Sequence, residues 1–382
     1  MTYHAALWAF AVLSCLLAIL SPTAAYITAS DTTLKELPRP GTDFDIHNGA
    51  LLAPILRTRV PGTPGSTAVL EHFVTFFKTS LPDWKIEFQN STSKTPATGN
   101  KDIPFVNLIA SRDPPGTHPG DVARLTLVAH YDSKITPEGF IGAIDSAAPC
   151  AMILHSVRSI DAALTKKWKA MEDNHESLLD DPQGIQVLLL DGEEAFHAWS
   201  DTDSLYGARS LAESMEHEYH PSLSTFKTKL SAIKLFVLLD LLGSKDPNIP
   251  SYFKTTHWAY KHMAKLEQRL RELGQFKSAS SKREQGKAWL SEASKTDDQD
   301  FNAQIGDDHL PFMERGVDIL HLIPIPFPKV WHTIDDDAEH LDPATVEDWS
   351  TLLTAFLTEW MELEGFLGSK RSEALDKDKS EL

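Results

Sequence analysis

The chain alternates between short, continuous apolar runs and longer stretches in which apolar residues recur every three or four positions. The runs are VNLIAS from 106, LTLVA from 125, IQVLLL from 185, IKLFVLL from 233 and DILHLI from 318. Runs of this kind, with no polar alternation, are strands covered on both faces, which predicts a mostly parallel sheet between layers of helices. Helical spacing is clearest in 67–81, where Val69, Leu70, Phe73, Val74 and Phe77 share a face, and it recurs in 251–273 and 345–367. The fold class expected is therefore α/β, a single three-layer domain with a mostly parallel mixed central sheet flanked by helices. The polar stretches 166–182 and 276–298 are expected to be surface insertions.

Composition sharpens this picture. At 382 residues and 42% hydrophobic content the chain can bury a large core. A formal net charge of −18 argues against a nucleic-acid partner, which would require clustered Lys and Arg. Small molecules or peptides are the expected partners, and a monomer is the expected state. Residues 1–25 carry an apolar stretch from Ala5 to Leu20 and end in small residues, the pattern of a signal peptide, with a signal anchor as the alternative. No later stretch is long and apolar enough to span a bilayer, so residues 26–368 are expected as the working domain and 369–382 as a charged flexible tail. The tail ends in Lys-Ser-Glu-Leu, one residue from a retention signal, so the secretory pathway is the expected location, with secretion and retention in the endoplasmic reticulum both open. Cys150 would be alone once Cys15 left with the signal, and is expected to be a buried thiol. Asn90-Ser91-Thr92 is a glycosylation sequon.

The chemistry lies where the apolar runs stop. The run from 125 leads into His130-Tyr131-Asp132, the run from 185 into Asp191-Gly192-Glu193-Glu194, and the run from 233 into Asp240. In an open parallel sheet the carboxyl ends of the strands share one edge, so these groups should converge. Between them lies GAIDSAAPCAMILH, whose small residues around Asp145 suit a tight turn opening a helix. Later segments carry Asp307, Asp308, His309, His321 and His332. Carboxylate oxygens with imidazole nitrogen suit zinc, and a catalytic zinc takes three protein ligands. Adjacent glutamates can divide the work, Glu194 on the metal and Glu193 moving protons. There is no HExxH helix and no Gly-x-Ser-x-Gly elbow.

HYDSK, GAIDSAAPCAM, DGEEAFHAWSDTDSLYGAR, LLDLLG and DDHLPFMERGVDILHLIPIPFPKVWHTIDDD stand in this order and cover about 100 to 345. With these motifs the chain resembles the glutaminyl-peptide cyclotransferases, or glutaminyl cyclases, which share the fold of zinc aminopeptidases. The resemblance implies one zinc per chain, held by Asp145, Glu194 and His332, with Glu193 as general base and acid. It implies that Asp240 and Asp307 form a hydrogen-bonded acidic pair supporting proton transfer, and that Trp199, Phe327 and Trp331 surround the substrate. The implied reaction converts the N-terminal glutamine of a peptide to pyroglutamate and releases ammonia.

Two departures stand out. The cysteine that precedes the HYDS histidine in animal members, and bridges to the position of Cys150, is Ala129 here. Gly306 replaces a larger polar residue before Asp307. His130 matches a residue that binds a second zinc in the aminopeptidases and is free of metal in the cyclotransferases. The competing readings are a di-zinc aminopeptidase and a noncatalytic peptide-binding domain of the same fold.

Overall fold

The computed structural model describes residues 28–174, 181–278, 287–296, 298–301 and 305–367. The expected signal peptide and the expected C-terminal tail lie outside the described residues. Six strands form one sheet in the order β1-β2-β4-β3-β5-β6: β1 (Lys85–Lys94), β2 (Asp102–Arg112), β3 (Ala123–His130), β4 (Gln183–Leu190), β5 (Ile233–Leu239) and β6 (Ile319–Leu322). Strands β4, β3, β5 and β6 run parallel, while β2 is antiparallel to both β4 and β1. The mixed sheet, its parallel centre and all five apolar runs are as the sequence pattern predicts. β1 was not expected: KIEFQNSTSK is polar because it is an edge strand, half exposed along its length.

The helices are α1 (Asp31–Lys35), α2 (Pro64–Ser80), α3 (Ala148–Asp173), α4 (Tyr206–His217), α5 (His257–Glu272), α6 (Leu310–Met313) and α7 (Pro343–Trp360). Strand residues alternate between two cores. Leu125, Leu127 and Ala129 of β3 point into the larger one, which holds the apolar faces of α2, α3, α5 and α7. Val128, with Leu188, Leu190, Phe236 and Leu238 from the neighbouring strands, points into the other, closed by Ala208, Leu211, Ala212 and Met215 of α4. Each central strand is thus buried on both faces, which is why its sequence lacks polar alternation.

Both expected surface insertions prove partly buried. Residues 166–173 complete α3, and Trp168 is in the core. In the second segment Phe276, Trp289 and Leu290 are buried, and the Trp289 ring stacks on Trp349 of α7 at 4.8 Å. Among the described residues of the segment these are the ones that are buried, and the backbone amides of Trp289 and Leu290 are taken up by the buried Glu267 carboxylate. Cys150 is a free, buried thiol, with burial pushing its pKa up to about 12.

Candidate metal and active site

At the carboxyl edge of the parallel strands, each chain reversal delivers a polar side chain to the same place. After β3, His130 and Asp132 are fully buried. The two Asp132 oxygens accept the successive backbone amides of Glu193 and Glu194, each at 3.1 Å, and Oδ1 lies 3.3 Å from Nδ1 of His130. After β4 the turn depends on Gly192, whose φ is +74°; a Cβ there would fall 2.3 Å from the Phe105 ring. That tight turn sets the two glutamates directly over the sheet edge.

Asp145 lies in the π-helical turn Ala143–Ala147 just before α3, and two residues pin that turn. The fully buried Arg59 donates Nη2 to the carbonyls of Gly142 (2.9 Å) and Asp145 (3.2 Å), and Nη1 to Ile141. Asp336 accepts the Ile144 amide at 2.8 Å on Oδ1 and the Ala143 amide at 3.1 Å on its carbonyl. Because Asp336 is in the same loop as His332, the loops that carry these two residues are tied together away from the point where their side chains meet. His332 itself has φ +56°, a costly conformation for a residue with a Cβ, of the kind that concentrates at functional sites.

The structure brings Asp145, Glu194 and His332 together. Nε2 of His332 is 3.5 Å from Oδ2 of Asp145 and 3.6 Å from Oε2 of Glu194, and all three donor atoms lie within 4.8 Å of one another. Asp145 Oδ2 and Glu194 Oε1 are buried without a hydrogen-bond partner. Two buried carboxylates aimed at one point repel each other, and their mutual effect adds to burial in raising the Asp145 pKa to about 6. A divalent cation relieves both costs, and the N and O donor set suits zinc. Lys134 reaches the same Glu194 oxygen, with Nζ 3.2 Å from Oε2.

Glu193 is buried next to this cluster. Burial pushes its pKa well above the usual range; the charge of His130 opposes that, while Glu194, Asp307 and Asp308 add to it. His130 is wedged between carboxylates, with Nε2 3.0 Å from Asp145 Oδ1 and 3.5 Å from Asp240 Oδ1. Asp240 accepts from the Ser146 hydroxyl and from the Leu241 amide at 2.8 Å. Asp307 pairs with His321 at 2.6 Å, and burial, then Asp240, raise its pKa well above the ordinary value. The hydrogen bond expected between Asp240 and Asp307 is not found among the described residues: each holds other partners, and the two meet only through their charges.

A cavity of about 430 Å³ opens onto Asp145, Glu193, Glu194, Asp240 and His332, and Trp199, Phe327 and Trp331 form its rim. The Trp331 ring stacks on His332 at 3.9 Å, and Phe327 meets Trp331 edge-on at 4.7 Å. Asp203 holds the Trp199 loop by accepting the amides of Phe196, His197 and Ala198.

Peptidase family M28 matches residues 107–357. The bovine glutaminyl-peptide cyclotransferase is 38% identical over 316 residues, covering 82% of this chain and 81% of that one. The chain belongs to the glutaminyl-peptide cyclotransferases of peptidase family M28. Among solved structures, the glutaminyl cyclase of Macrostomum lignano aligns with a TM-score of 0.72 at 29% identity, covering 90% of this chain and 97% of that one. A Zn-dependent exopeptidase from Parabacteroides distasonis aligns with a TM-score of 0.55 at 18% identity over 84% of this chain and 99% of that one, a likeness of fold.

Within this cyclotransferase all nine site residues named from sequence lie at the same sheet edge, eight of them lining the cavity and Asp307 just behind it. Sequence reasoning missed Asp132, Arg59 and Asp336 as groups that position others. Asp132 stood in a quoted motif at a strand end and was within reach. Arg59, one of two arginines in RTRVPG, gave no signal, because the carbonyls of Gly142 and Asp145 that it holds lie 83 and 86 residues away.

Proposed function

We propose that the chain is a zinc-dependent glutaminyl-peptide cyclotransferase that converts the N-terminal glutamine of peptides and proteins to pyroglutamate with release of ammonia. The observation that carries this reading is the placement of Glu193 beside the Asp145, Glu194 and His332 triad, under an aromatic rim. Asp145, Glu194 and His332 hold one zinc, which when bound polarises the γ-carboxamide carbonyl and stabilises charge developing on its oxygen. Glu193 takes a proton from the attacking α-amine and returns it to the leaving amide nitrogen, so that the bond to ammonia breaks as the ring C–N bond forms. Its raised proton affinity suits a group that must hold a proton between these two events. Asp240 and Asp307 hold the charge balance around Glu193. Trp199, Phe327 and Trp331 fold the glutamine side chain back on its own amine and exclude water, which makes proximity the main source of rate.

One zinc, rather than two, is supported by the likeness to the glutaminyl-peptide cyclotransferases. In His130, Asp132 holds Nδ1, and Nε2 faces Asp145 and Asp240. The second reading, a di-zinc aminopeptidase, is favoured by the proximity of donor atoms in His130, Asp145 and Asp240. The enzyme is further proposed to act as a monomer in the secretory pathway, with residues 1–25 as signal peptide, 26–368 as the catalytic domain and 369–382 as a flexible tail. Asn90, exposed on β1, is its proposed glycosylation site. Lys-Ser-Glu-Leu is the proposed retention signal, and deleting it should shift protein from cells to medium.

The decisive test is incubation with Gln-Phe-Ala and Ala-Phe-Ala, mass spectrometry of the products, and metal analysis of the same sample. Loss of ammonia from the glutamine peptide alone, with about one zinc per chain, is expected. Release of free N-terminal residues with about two zincs would make the protein an aminopeptidase.

A further inference from the structure

A second groove, of about 600 Å³, lies on the other side of Trp199 from the metal cavity, and Trp199 lines both. Its floor and walls come from Ser91, Thr92 and Ser93 on edge strand β1, from the first turns of α4, and from residues 310–315. Trp199 is 46% exposed, and its indole lies directly against Gly306, where a Cβ would sit 3.2 Å from Nε1. The missing side chain at 306 therefore sets where the partition between the two spaces stands.

The charges lining the groove are unequal in availability. Arg315 is committed to Glu216 at 2.9 Å. Arg209 donates to the Asp201 carbonyl and lies over the Tyr206 ring, 5.2 Å from its centre. Asp201, Glu213 and Glu314 also line the groove, and among the described residues none of the three is in an ion pair. An occupant that continues from the active site thus meets three carboxylates outside any ion pair against one such arginine, Arg209, an excess of negative charge. The free edge of β1 offers main-chain groups to an extended chain running alongside it.

A substrate whose first residue is folded back in the metal cavity must leave past the aromatic rim. We propose that it leaves across Trp199 and that this groove receives about the third to fifth residues of the peptide, at roughly 3.3 Å per residue, favouring lysine and arginine there. The inference rests on the cyclotransferase reading and adds to it a subsite that selects among N-terminal glutamine peptides.

The test compares ammonia release from Gln-Phe-Ala, Gln-Phe-Ala-Lys-Lys-Ala and Gln-Phe-Ala-Glu-Glu-Ala by the full chain and by Glu213→Lys/Glu314→Lys and Glu213→Gln/Glu314→Gln variants. Both residues are exposed and line the second groove, not the metal cavity. The unmodified enzyme should show a KM for the lysine peptide about two- to fivefold below that for the glutamate peptide, the size expected of exposed ion pairs. Added salt should shrink the difference. The glutamine variant should lose it, the lysine variant should reverse it, and tripeptide kinetics should be unchanged in both. Equal KM values for the two hexapeptides in the unmodified enzyme, or variants that alter the tripeptide as much as the hexapeptides, would overturn the subsite. Variants that change sedimentation and leave peptide preference untouched would assign the groove to a second copy of the chain and likewise overturn it. Calorimetric binding of the corresponding pyroglutamyl hexapeptides makes the same comparison without turnover. If no peptide were cyclised yet the charge preference in binding persisted, the groove would stand and the cyclotransferase reading would fall.

Discussion

Asp132 allows the positioning of the paired glutamates to be tested without touching either of them. Replacing it by Asn keeps the shape and changes one oxygen to an amide nitrogen. In the native protein both oxygens accept, at 3.1 Å each, from the amides of Glu193 and Glu194. Burial alone would raise the Asp132 pKa, but the His130 hydrogen bond, the charge of His130 and the two amides together lower it, so the group is ionised. In Asp132→Asn one of the two amides faces an NH₂ group instead of an acceptor. The variant loses a charge-assisted hydrogen bond and leaves buried donors unsatisfied, a cost on the order of 3 kcal/mol. The strain falls on the backbone of Glu193 and Glu194, so kcat should drop by about 10²-fold, the cost of a displacement approaching 1 Å at reacting groups. Urea unfolding followed by tryptophan fluorescence measures the first quantity, and ammonia release from Gln-Phe-Ala the second. Stability within about 1 kcal/mol of the parent, or lost stability with kcat intact, would refute the reasoning, the latter by making Asp132 a purely structural residue.

Glu193→Gln should retain zinc by metal analysis while losing most turnover, whereas Glu194→Ala should lose zinc affinity as well. Dialysis against a chelator should abolish ammonia release without unfolding the chain by circular dichroism, because the two apolar cores do not include the metal cluster, and added zinc should restore activity. Gly306→Ala places a methyl group 3.2 Å from the Trp199 indole and should raise KM for Gln-Phe-Ala more than it lowers kcat, with little change in melting temperature. Burial holds His309 neutral, its pKa lowered to about 2. Below about pH 6.5 the unfolded chain takes up a proton there that the folded chain refuses, so this residue costs stability progressively as the pH falls. His309→Gln should therefore flatten the decline of melting temperature between about pH 6.5 and 4.5, and an unchanged slope would show that another group governs it.

The central strands were legible because each needs apolar residues on both faces, and the site was legible because the residues after those strands carry charge that a packed sheet has no need of. Adjacent Glu193 and Glu194 after a run of leucines, or Asp240 after IKLFVLL, announce themselves without any knowledge of their neighbours. Strand β1 did not, since half of an edge strand faces water and its composition is that of a loop. Nor did the buried aromatic Trp289, set in a polar segment and recognised by the rings of Trp349 and Phe276 and the guanidinium of Arg271 that it packs against.

The sequence by itself determined the layers of the fold, the sheet edge at which chemistry gathers, and the residue types available there. Only the tertiary structure decided which carboxylates face one another, which are held by amides, and which are left without a partner. Asp132 meets residues 61 and 62 positions away, and Asp336 meets Ile144 from 192 positions away. A carboxyl group is a ligand, an orienting acceptor or a proton carrier according to what lies within about 3 Å of it, and in this chain those neighbours are brought in by distant segments.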